Sequence, residues 1–265
     1  KDAGLEAPPP ALQRKDAGLE APPPALQRKD AGLEAPPPAL QRKDAGPEAP
    51  PPPSGGAGGG TSGGSIRYAP HPIYDIYGAP LEKTDARQQL GLPDHLPVVL
   101  FFGLIRKYKG LDLLLQALAR VAGVHVLVAG ECYDDWAFYQ SIIDENSLAG
   151  RVHLHLDFIP AEQVRLFFAA ADLVVQPYRT ATQSGISQIA YHFDKPMVVT
   201  RVGGLPEIVT DGVSGYVTES EPEALAAAIR DFFEHNRAES MQAGVRAEKK
   251  RFSWENLVKQ LLEGK

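Results

Sequence analysis

The sequence predicts an α/β domain built on a Rossmann-like, doubly wound parallel sheet and preceded by a disordered Pro/Gly-rich tail. Three observations carry that prediction. From Val98 onward, short apolar runs alternate with amphipathic stretches at helical spacing. That alternation implies strands joined by crossover helices, hence a mostly parallel sheet with helices on both faces. The texture also changes near residue 65: residues 1–65 hold 14 of the 24 prolines and 11 of the 25 glycines, and almost no aromatic or β-branched side chains.

A segment of that composition cannot bury enough apolar surface to offset the entropy of ordering it. Its unit KDAGLEAPPPALQR occurs three times, at 1–14, 15–28 and 29–42, and a fourth copy decays after Pro53. Repeats can mean solenoids. Here each unit offers two leucines and a Pro-Pro-Pro block that removes three amide donors. The expectation is an extended, polyproline-II-biased segment over 1–53, followed by a flexible Gly/Ser linker over 54–65. Its simplest role is a spacer; the alternative is docking to an SH3-like groove.

In the remaining domain, 66–265, the elements follow in order. Val98–Phe102 is a buried strand, and Leu111–Val121 a helix with leucines at 111, 114, 115 and 118 on one face. Val124–Ala129 and Val152–Phe158 are strands separated by a helix over Asp134–Asn146. Ala161–Ala170 is a helix, Leu173–Gln176 a strand, Ser184–His192 a helix and Met197–Thr200 a strand. Gly215–Val217 is a last short strand before the helices Pro222–His235 and Trp254–Leu262, the second capped by Ser253.

Composition excludes several partners. The chain carries a net charge of -6, and neither the tail nor the domain is basic, so a nucleic-acid backbone is excluded as a partner. No apolar run reaches the roughly 18 residues of a spanning helix; peripheral membrane contact stays open. Cys132 is the only cysteine, which precludes an intrachain disulfide and fits a reducing, cytoplasmic compartment. It reads as a packed thiol. His153 and His155 alternate on a strand with no ligand cluster beside them, so they read as solvent-facing rather than metal-binding.

In doubly wound sheets ligands bind beyond the carboxyl ends of the strands. After the first strand comes Gly103, then Arg106 and Lys109, then a helix starting near Gly110. Glycine lets backbone approach a ligand, and two cations beside a helix start make a diphosphate site. The glycine spacing fits neither the dinucleotide fingerprint nor a P-loop. After the fourth strand, Ser184 and Gly185 place free amides toward an anion, while Thr180, Thr182 and Gln183 offer neutral groups suited to sugar hydroxyls. After the fifth, Pro206 fits a first helical turn, and Glu207 either caps that turn or faces the ligand.

The ordered segments FFGLIRKYKGLDLLLQA, VLVAGE, LHLDFIP and QPYRTATQSGISQIAYHFDKPMVVTRVGGLPEIV resemble the C-terminal domain of family 4 GT-B glycosyltransferases, the glycosyl transferases group 1. The resemblance runs from about Tyr68 to Leu262. It implies a nucleotide-sugar donor domain with no cofactor beyond that donor, retaining and metal-independent. It further implies that Arg106 and Lys109 hold the diphosphate beside Gly103 and act in catalysis. Glu131, Phe158 and Ile159 lie near the base, and Gln183, Ser184 and Gly185 at the distal phosphate and sugar.

Two departures qualify these expectations. Many relatives carry two glutamates eight residues apart around the fourth loop; here Thr180, Gln183 and Gln188 stand in that stretch, with Gln188 a candidate for the ribose. Residues 66–78 resemble the interdomain connector, and residues 1–65 cannot form an acceptor domain. The expectation is a donor domain inactive alone. The alternatives are a donor subunit served by a separate acceptor-domain chain, or a non-catalytic interaction protein acting through its Pro-rich tail.

Overall fold

The computed structural model describes residues 71–262; the repeats, the linker and both predicted domain boundaries lie outside them. The strands are β1 (Val98–Phe102), β2 (His125–Ala129), β3 (Val152–His155), β4 (Leu173–Gln176), β5 (Met197–Thr200) and β6 (Gly215–Thr218). They form one sheet in the order β3-β2-β1-β4-β5-β6, every neighbouring pair parallel. The chain winds outward from β1 to β3, then returns across β1 to lay down β4, β5 and β6 on its other side. The direction of winding therefore reverses between β1 and β4, and the loops leaving those strands diverge and open a crevice.

The helices are α1 (Lys83–Gln89), α2 (Leu111–Leu118), α3 (Trp136–Glu145), α4 (Ala161–Ala170), α5 (Gly185–His192), α6 (Leu205–Ile208), α7 (Pro222–Glu234), α8 (Ala238–Glu248) and α9 (Trp254–Leu262). Alternation along the strands divides the core in two. Val98, Leu100 and Phe102 face the layer containing α1, α4 and α5, with Phe167, Phe168 and Tyr191. Val99 and Phe101 face the layer containing α2, α3 and α7, with Leu114, Tyr139 and Phe232. β1 is buried along its whole length, as a central parallel strand covered on both faces must be.

Three differences from the sequence reading have physical causes. β3 stops at His155 rather than Phe158, because its only partner, β2, ends at Ala129, opposite His155. α1 and α8 appear where no element was assigned: α1 buries Ala86 and an arginine, and α8 buries only Met241 and Val245, too few for a periodic signal. His153 and His155 are half-buried rather than solvent-facing, because His125 stacks on the first and Phe167 of α4 packs on the second. His153 Nε2 lies 3.0 Å from His125 Nδ1, and His155 packs edge-on against Phe167. The exposed member of that strand is Leu154. Ser253 caps α9 as expected, its hydroxyl accepting from the Asn256 amide at 3.1 Å.

Candidate functional site

The crevice at the β1/β4 reversal is built by loops that bind one another. Beyond β1 the chain keeps pairing with the loop after β2: Ile105 N–H donates to Glu131 O, and Tyr133 N–H returns to Ile105 O. Glu131 is thereby carried beside Gly103. Lys107–Lys109 then form one 3-10 turn closed by Gly110 at φ 68, a left-handed conformation. A Cβ on Gly110 would stand 2.0 Å from the Pro177 carbonyl oxygen, so glycine is what lets the first and fourth loops meet. Arg179 locks that meeting. Its backbone N–H donates to Tyr108 O, and its guanidinium grips both oxygens of Asp112 at 2.8 and 2.7 Å.

Within this frame Lys109 is half-buried, its ammonium against Gly103 and 5.7 Å from the centre of the Tyr178 ring. Burial, reinforced by the neighbouring Arg106 charge, lowers its pKa to about 8. No carboxylate or carbonyl among the described residues pairs with it. Arg106 is exposed, with its guanidinium 4.7 Å over the Tyr133 ring, and Tyr133 in turn donates to Glu131 Oε2 at 3.3 Å. Tyr178 is buried, which pushes its hydroxyl up to about 12, and it hydrogen-bonds the Ser184 hydroxyl at 3.3 Å. Ser184 precedes α5 without capping it, and the amides of Gly185 and Ile186 have no acceptor among the described residues.

The predicted residues gather into three adjoining hollows. Gly103, Glu131, Phe158 and Ile159 line a cleft of about 290 Å³ with Tyr77, and Phe158 is 70% exposed at its lip. Lys109, Gln183, Ser184 and Gly185 line a second of about 420 Å³, which shares Tyr77 with the first. Gln183, Ser184 and Gly185 also border a third, of about 100 Å³, which contains Gln188. Arg106 stands outside all three, held on Tyr133. The sequence reading missed Tyr74, Tyr77 and Tyr133; the first two belong to the segment read only as a connector, and their aromatic type was the available signal. Glu207 lies exposed in the first turn of α6, where Pro206 also sits, and its side chain has no partner among the described residues. Among the described residues no group of three or more His, Cys, Asp and Glu is placed to hold a metal ion. No described helix is long and apolar enough to cross a membrane.

Residues 96–235 match the family model of the glycosyl transferases group 1. The chain belongs to that family. It is 36% identical over 194 residues to the D-inositol 3-phosphate glycosyltransferase of Segniliparus rotundus, a match covering 69% of this chain and 42% of that protein. It superposes on Anabaena HepE, solved in complex with UDP, with a TM-score of 0.64 at 28% identity, covering 72% of this chain and 55% of HepE. It also superposes on the C-terminal domain of a group 1 glycosyl transferase from Francisella tularensis, with a TM-score of 0.56 at 19% identity, covering 66% of this chain and 95% of that one. The fold is therefore that of a GT-B C-terminal domain, and the chain spans less than half the length of its curated relative.

Proposed function

We propose that residues 71–262 bind a nucleoside-diphosphate sugar and serve as the donor half of a glycosyltransferase. The observation that carries this reading is Lys109, a half-buried ammonium with no anion beside it. Desolvating a cation without a partner is costly, and the cost falls when a diphosphate arrives. The free amides at the start of α5 face the same hollow and add a second anion-binding element. Phe158 and Ile159 offer an apolar wall for a base, with Glu131 as its polar neighbour, and the complex of UDP with HepE supports a nucleotide of this kind.

When the bond between the sugar and the diphosphate breaks, negative charge grows on the leaving phosphate. Lys109 and Arg106 then stabilise the transition state more than the ground state. Arg106 would leave its perch on Tyr133 to do so. The acceptor is bound by groups outside the described residues, in this chain or another. Isothermal titration of the chain with UDP, GDP and ADP tests the reading: one of them binds in the micromolar to millimolar range, and absence of heat with all three overturns it.

A further inference from the structure

β3 is an edge strand of four residues, and β2 is its one neighbour in the sheet. A strand held by a single ladder of backbone hydrogen bonds sits at the low-stability end of a sheet. Side-chain contacts supplement that ladder. Arg151, one residue ahead of β3, donates from Nη1 to the carbonyls of Val121 and Val124 at 2.6 and 3.3 Å. His153 of β3 meets His125 of β2: Nε2 of the first lies 3.0 Å from Nδ1 of the second, and the rings stack with centroids 5.3 Å apart. At that separation one proton lies between the two nitrogens. The carboxyl end of the strand reaches the cleft. Gly130, which lines the cleft beside Glu131, donates its N–H to His155 O at 2.9 Å, and the chain runs on from His155 to Phe158 and Ile159.

We propose that the His125–His153 pair is an acid-sensitive clasp: it holds β3 on β2 while at most one of its rings is charged, and releases the strand when both are. The neutral pair shares one N–H···N hydrogen bond. A first added proton leaves that bond in place, with imidazolium donating to imidazole. A second makes donors of both facing nitrogens, so the bond is lost and two positive charges confront each other. The surroundings oppose that charging. Burial comes first for both rings; His125 is repelled in addition by His153, by Arg151 and by His95 in the loop before β1, and His153 by His155. Among the described residues no carboxylate acts on either ring; Asp157 acts on His155, where burial outweighs it. Both rings of the pair are therefore held below the ordinary histidine value. Histidines so lowered add stability above about 6.5, the unfolded value, and that stability is lost as pH falls through the folded values. Neither ring lines the cleft, yet release frees the strand that leads into its Phe158–Ile159 wall, so acid acts on the cleft from outside it.

Histidine C2–H resonances of the full chain, followed by NMR from about pH 8 to 4.5, test the pair. His125 and His153 are expected to titrate together in two steps below about 6.5. In His153→Gln, which keeps a polar partner but cannot charge, His125 titrates in one step at higher pH. Hydrogen exchange tests the clasp. Between about pH 7.5 and 5, protection of the Val126 and Gly130 amides, which donate to Arg151 O and His155 O, should fall about fivefold more in the wild type than in His153→Gln. The melting temperature should fall by about 2–4 °C more. Independent one-step titration of the two rings in the wild type overturns the pair. Equal acid loss of protection in wild type and variant overturns the clasp. His125→Gln removes the same second charge from the other strand and provides the comparison should His153→Gln fail to fold.

Discussion

The two ends of β1 carry cations, one buried and one half-buried, treated in opposite ways. At the amino end Arg87, 1% exposed, is fully answered: it donates to the carbonyls of Ala170 and Asp94 and to Asp172, whose carboxylate also accepts from Val98 N–H and pairs with Lys83. At the carboxyl end Lys109 has an aromatic ring and a neighbouring positive charge, but no anion. One end is closed by its own residues and joins α1 to the starts of β1 and β4. The other is left open at the reversal of the sheet. The self-satisfied contact and the proposed binding site thus stand at opposite ends of the same strands.

The largest expected effect comes from the closed end. Arg87→Ala leaves the Asp172 carboxylate with one partner fewer in a mostly buried setting and should destabilise the fold by about 3–5 kcal/mol. Urea unfolding measures it; a loss below 1 kcal/mol would erase the contrast between the two ends. At the open end, Lys109→Met should lower nucleoside-diphosphate affinity by about 10- to 100-fold, the weight of one or two charge-assisted hydrogen bonds, without loss of stability. A titration paired with a thermal melt separates the two outcomes, and a variant that melts early while binding normally would reverse their assignment.

Acidity sharpens the same comparison. With Lys109 at about 8 in the free protein, diphosphate affinity should fall as pH rises above 8, by up to about tenfold per unit until the bound-state value is reached. Binding near pH 8 should then take up a proton, seen as a buffer-dependent heat. The stability contribution runs the other way. The folded value lies below the unfolded 10.5, so between about 8 and 10.5 the unfolded chain binds the extra proton and stability rises with pH. Lys195, half-buried and also near 8, adds a background of the same sign, which the Lys109→Met difference removes. The smallest effect is at Tyr133: replacing it by alanine frees Arg106 from a contact worth about 0.5–1 kcal/mol and should change affinity only two- to fivefold by that measure, read by the same titration.

Much of the sheet was legible because its strands are short apolar runs with turn residues after them. Val98–Phe102, Leu173–Gln176 and Met197–Thr200 stand where those runs are. The loops bearing Gly103, Lys109 and Gly185 followed from the rule that such sheets bind ligands at their carboxyl edge. What stayed hidden depends on contacts distant in sequence. Nothing near Arg87 in the sequence marks it, because its partner Asp172 lies 85 residues later. Phe158 reads as the end of a strand until β2 proves too short to pair with it. Gln188 reads as a candidate for the ribose, but that its side-chain oxygen is buried with nothing opposite emerges only once the chain is folded. Tyr74 belongs to a stretch with no periodicity and gains meaning only from its place on Gly185.

Cys132, the chain's single cysteine, offers an experimental handle that needs no engineering. Its sulfur is half-buried, donates to Asp134 O at 3.3 Å, and sits one residue beyond Glu131 in the strip paired with Ile105. A fluorophore or spin label attached there would have one address in the molecule. The rate at which a thiol reagent reaches it would report, in real time, each occasion on which the loop beside the cleft opens or is covered.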